Sequence, residues 1–266
     1  MGLKMNQSKL VLPLVLILSS VMTTGCVTQD TYAGTDTPVS ERKVDKVAAA
    51  RQRIQLGLTY LQKGNSEQAK ANLDRALAFA PNLEEVHIAF AYYYQSVGEL
   101  EKTEQAYREA IDSSDATGDS YNNFGAFLCQ QGKYAESEKM FLKAVDQPLY
   151  TRSASTYENL GICSRKAGQM SKAQSYFAMA LNYDPRRRTS LIELTEIDYE
   201  EGKYAEAREQ LSRYHRVAAE SAGSLALGIK IEQGLNDQEA VRRFGILLLA
   251  KFPQSVQAKE YRASMH

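Results

Sequence analysis

The apolar residues of this chain fall into three regimes. Residues 10–21 form an almost unbroken apolar run, preceded by Lys4 and Lys9 and interrupted by Pro13. Residues 27–43 are rich in Thr, Ser, Asp and Gly and show no apolar periodicity, which predicts a flexible tether. From about residue 50 onward the apolar positions recur at helical spacing, and glycines punctuate them. These are Gly64, Gly98, Gly132, Gly168, Gly202 and Gly234, at intervals of 34, 34, 36, 34 and 32 residues. Five residues after each of the first five stands a small side chain: Ala69, Thr103, Ser137, Ala173 or Ala207. Four further on stands a large one: Leu73, Tyr107, Phe141, Phe177 or Leu211. Seven residues before the glycine comes another small residue, Gly57, Ala91, Gly125 or Gly161, with Thr195 the exception.

This pattern predicts two antiparallel helices per unit, joined at a glycine that takes the positive φ a helix C-terminus needs. Small residues mark the closest approach of the two helices, and large ones fill the space between neighbours. No unit buries its apolar face alone, so the units must stack. The spacing resembles the tetratricopeptide (TPR) repeat family over about residues 50–253. The resemblance implies an all-α fold, a right-handed superhelix of six helix-turn-helix repeats. The units run 50–83, 84–117, 118–153, 154–187, 188–219 and a divergent 220–253, with 254–266 as a C-terminal capping helix. The third unit carries two extra residues around Gln147-Pro148-Leu149-Tyr150, and in the sixth Ala240 comes six residues after Gly234, an irregular spacing.

Composition narrows the function. With 32 basic and 32 acidic residues the net charge is zero, which opposes a general electrostatic drive toward nucleic acid. Three Cys and three His are scattered along the chain, too few and too dispersed for a structural zinc site. No phosphate-cradling loop, His-Glu-x-x-His or Gly-x-Ser-x-Gly motif occurs. His87 takes a packing position, His215 and His266 have no evident partner, and the many acidic residues sit at spacings that predict solvated helix faces. Arg186, Arg187 and Arg188 read as a charge cluster at a helix end. The expectation is a binding scaffold with no catalytic residue, metal or cofactor.

The N-terminal run is too short to span ~30 Å of hydrocarbon. A basic start, an apolar core and then small residues make a secretory signal. Met22-Thr23-Thr24-Gly25-Cys26 resembles a bacterial lipobox, departing from it at Thr23, where Leu is usual. Met1 and Met5 both serve as readings of the start. The resemblance implies a signal peptide over 1–25, lipid attachment at Cys26, a tether over 26–45 and the repeat domain over 46–266. Val27 in place of Asp favours the outer membrane. In an oxidising compartment a disulfide between Cys129 and Cys163 is feasible, because they lie on adjacent first helices, four and two residues after Gly125 and Gly161. The alternative is a pair of buried thiols.

The whole layout, with the stretch Asn-Asn-Phe-Gly-Ala-Phe-Leu-Cys at 122–129, resembles the PilF/PilW family of type IV pilus biogenesis lipoproteins. That resemblance implies a pilotin: a monomeric outer-membrane lipoprotein, facing the periplasm, that helps a secretin subunit reach the membrane and multimerise. The alternative function is a general periplasmic scaffold for outer-membrane protein or cell-wall enzyme assembly. In TPR stacks the first helices line a concave groove. Helical counting places Ile54, Leu58 and Leu61 there in the first unit, and Ile88, Tyr92 and Gln95 in the second. The later positions turn polar, at Asn122, Glu158, Arg165 and Glu196. The expected secretin contact is therefore the apolar end, unless residues 39–47 fold back over it.

Overall fold

The computed structural model describes residues 45–265; the expected signal peptide, Cys26 and His266 lie outside them. The described residues form thirteen α-helices and no strand. Six antiparallel pairs follow one another: α1 (Lys46–Gln62) with α2 (Ser66–Phe79), α3 (Glu84–Ser96) with α4 (Leu100–Ile111), and α5 (Gly118–Gln130) with α6 (Tyr134–Val145). Then come α7 (Ser153–Lys166) with α8 (Met170–Tyr183), α9 (Arg188–Glu200) with α10 (Tyr204–Val217), and α11 (Ala222–Gly234) with α12 (Gln238–Lys251). The last helix, α13 (Val256–Ser264), packs on α11 and α12 and ends the stack. This is the six-repeat TPR superhelix with its capping helix.

The turns show why glycine recurs. Gly64, just beyond the end of α1, has φ +74°, a conformation that costs an L side chain about 1–2 kcal/mol. Asn65 then caps α2 by accepting a hydrogen bond from the Gln68 amide at 3.0 Å. The same positive φ recurs at the next four turn glycines but not at Gly234. Gly234 is the last residue of α11, and Asn236 takes the left-handed position at φ +59°, 34 residues after Gly202. Asparagine tolerates that region because its short amide bonds locally. Gly234 is small for another reason: a Cβ there would lie 2.7 Å from the ring of Tyr204.

Packing within each pair follows one register. Gly57 meets Leu73, Gly125 meets Phe141, Gly161 meets Phe177 and Gly228 meets Phe244, each sixteen residues apart, and each glycine leaves no room for a methyl group. The sixth repeat keeps this register, with Ala240 buried twelve residues after Gly228. Its irregular spacing in sequence came from measuring to Gly234; the turn is displaced by one residue, the helix contact is not.

Candidate binding groove

The first helices of successive repeats lie against one another, and the predicted groove residues distribute unevenly on them. Tyr92 is exposed at 38%, and Leu61 is half-buried. Leu58 and Ile88 are partly buried and pack against the core of the first two repeats. Ile54 does not line the groove. It is only 8% exposed and joins Leu73, Val86 and Phe90 in that core, because α3 of the second repeat covers its side of α1. The apolar strip is thus narrower than helical counting predicts, and Tyr92 is its most open member.

Polar contacts tie neighbouring first helices together. Arg51 pairs with Glu85 at 2.9 Å, and Gln95 donates to Gln130 at 3.1 Å. Arg165 reaches Glu196 at 2.8 Å, Glu200 at 3.0 Å and also Glu193. Thr156 donates to Asn122 Oδ1 at 3.0 Å, although 34 residues separate them where the repeat interval is 36. Asn159 also donates to Asn122 Oδ1, at 3.1 Å, so two residues of α7 converge on one acceptor of α5. Cys129 and Cys163, 34 residues apart on the same two helices, have Cα atoms 5.8 Å apart, within reach of a disulfide. Toward the C-terminus α9, α11 and α13 frame a cleft of about 360 Å³ lined by Glu196, Tyr199, Glu200, Leu227, Lys230 and Glu260. The lining of this cleft is polar, unlike the apolar strip on the first two repeats.

Buried glutamates are what the sequence reading missed. Glu158, expected on the groove, is buried. It accepts hydrogen bonds from the Ser190 amide (3.1 Å), the Ser190 hydroxyl (2.9 Å) and the Arg187 guanidinium. Arg187 stands at the N-cap of α9 and makes no side-chain cap of its own. Glu84 serves α5 in the same way, accepting from the Thr117 amide (2.6 Å), the Thr117 hydroxyl (2.9 Å) and Ser120. A carboxylate from one repeat thus satisfies the open amides and dipole of the next repeat's first helix. The poor capping residue at Arg187 was the available signal. The arginine run is split accordingly: Arg187 turns inward, while Arg186 and Arg188 stay exposed.

The two histidines among the described residues have partners. His87 bonds the Pro81 carbonyl at 2.7 Å and Glu109 at 3.1 Å. His215, which had no evident partner in sequence, lies 3.0 Å from Ser224 Oγ, and burial lowers its pKa. Ser224 is itself buried and forms a capping box with Ser221 at the start of α11, so the pair is structural. Among the described residues no group of three or more His, Cys, Asp or Glu is placed to hold a metal ion, and no helix is long and apolar enough to cross a membrane.

The tetratricopeptide repeat family matches residues 116–186 and 53–83. Type IV pilus assembly protein PilF of Pseudomonas aeruginosa is 31% identical over 249 residues, covering 94% of this chain and 97% of that protein. A solved structure of P. aeruginosa PilF superposes with a TM-score of 0.69, at 31% identity, over 82% of this chain and 99% of that one. A structure of PilW, described as a widely conserved type IV pilus biogenesis factor, gives a TM-score of 0.65 at 29% identity, over 79% and 97%.

Proposed function

Since the chain belongs to the PilF family of type IV pilus assembly proteins, we propose that it is a pilotin, an outer-membrane lipoprotein whose TPR groove binds the pilus secretin subunit and promotes its localisation and multimerisation. The observation that carries this reading is the match to PilF over nearly the full length of both chains. In this reading Cys26 holds the protein to the membrane, and the segment up to residue 45 lets the groove sample the periplasm beneath it.

The secretin segment lies along Leu58, Leu61, Ile88 and Tyr92, an apolar strip suited to an extended or helical segment with apolar side chains at matching intervals. Affinity capture from envelope extracts tests it. Tyr92→Ala and Leu61→Glu are expected to cut secretin recovery severalfold while helical content and Tm stay near wild type. Tyr92 is the cleaner site, because Leu58 also supports the core and its loss would mix binding with stability. If recovery survives both changes but collapses when Arg186 and Arg188 are neutralised, the site belongs to the later repeats.

The Cys129–Cys163 pair is a disulfide in this reading, since an exported chain meets oxidising conditions. Closing a loop of 34 residues stabilises by about 3–4 kcal/mol in the chain-entropy account. Peptide mapping without reduction, after alkylation at lysis, is expected to find the two joined. Recovering both as alkylated thiols would refute the bond.

A further inference from the structure

Leu149 is the outlier of this molecule. It is 98% exposed, whereas the next most exposed large apolar side chain among the described residues, Ile246, reaches 67%. Its backbone has φ +62°, a region that leucine rarely enters. Both facts come from one turn. The Tyr150 amide donates to the Gln147 carbonyl at 3.3 Å, closing a four-residue turn with Pro148 second and Leu149 third. Proline fixes a negative φ and the third residue has a positive one, which is the type II pattern, where glycine normally sits. These are the residues at which the third repeat exceeds its neighbours in length.

The turn is held firmly on both sides. The ring of Tyr150 covers the backbone of Gly118 so closely that a Cβ there would strike it, and its hydroxyl lies 2.7 Å from Thr156 Oγ1. Thr156 in turn bonds Asn122 on the groove face. Asp119 and Arg152, paired at 3.4 Å, flank the same spot. A rigid turn that presents a leucine to solvent in a strained conformation gains nothing within the fold. Strain of this kind persists where function requires it.

We propose that Leu149 is a docking anchor that inserts into an apolar pocket of the secretin subunit, extending the contact made by the groove; this rests on the pilotin reading. A protein pocket fits better than a lipid surface. The exposed apolar side chain is single, and the Asp119–Arg152 ion pair lies near Tyr150 of the same turn, an arrangement that suits the apolar centre and polar rim of a protein interface. Pre-ordering the turn removes the entropy loss that a flexible loop would suffer on binding.

The test compares Leu149→Asn and Leu149→Met with wild type in secretin capture from envelope extracts, with Tm measured alongside. Asparagine accepts the left-handed conformation but removes the apolar group. Capture is expected to fall at least threefold for Leu149→Asn and to hold for Leu149→Met, with Tm for Leu149→Asn equal to wild type or higher. A smaller fall, or a lower Tm for Leu149→Asn, overturns the anchor. If wild type captures no secretin, the pilotin reading fails and the anchor with it; if wild type captures it and Leu149→Asn does so equally, the anchor alone fails.

Discussion

Phe177→Ala is expected to destabilise the repeat domain by about 3–5 kcal/mol, measured by denaturant melts of the purified protein. The ring is fully buried in the middle of the stack, where it packs with Leu181, Leu191, Leu194 and Ile197 and so joins the fourth repeat to the fifth. Its other side lies on Gly161, where a Cβ would come within 2.6 Å of it. Truncation therefore opens a cavity at a boundary between repeats, and each repeat depends on its neighbours for burial. A double-mutant cycle sharpens the argument. The fifth repeat fills the equivalent contact with Thr195 and Leu211. Gly161→Thr alone overpacks and Phe177→Leu alone underpacks, but together they recreate the fifth repeat's pair. The combined cost is expected to be well below the sum. Simple additivity would show that the glycine–aromatic contact is not what sets the spacing of these helices.

On the proposed lipoprotein reading, Cys26→Ser is expected to move the protein almost wholly from the outer-membrane fraction to the soluble periplasm. Each buried methylene of an acyl chain contributes about 0.8 kcal/mol, so one chain holds weakly and three hold without measurable release. The repeat domain begins at residue 45, so its Tm should not change. Secretin multimers should fall with the loss of the anchor. Normal membrane fractionation of the serine variant would sink the lipoprotein reading and leave the groove predictions standing.

Much of the repeat domain can be read without coordinates, and particular residues show why. Gly64 to Gly202, with Leu73, Tyr107, Phe141, Phe177 and Leu211 at a fixed offset, encode a turn and a contact that each repeat makes within itself. Such contacts span at most sixteen residues and recur, so the pattern repeats itself in sequence. The groove was less legible. Tyr92 is exposed as helical counting requires, but Ile54 is core and Glu158 is a cap for the following repeat. Both outcomes depend on what the next first helix covers, which a helical wheel of one helix does not contain.

The number of repeats, the helical pairing, the small and large positions of the first five pairs and the closing helix are legible in the chain alone, because all of these are local and periodic. How neighbouring repeats are registered emerges only in three dimensions. From that register follow the approach of Cys129 to Cys163 and the burial of Glu84 and Glu158 against the helices they cap. The physical reason is common to both: contacts between repeats join residues about 34 apart through geometry that accumulates along the stack, and no spacing within one repeat specifies it.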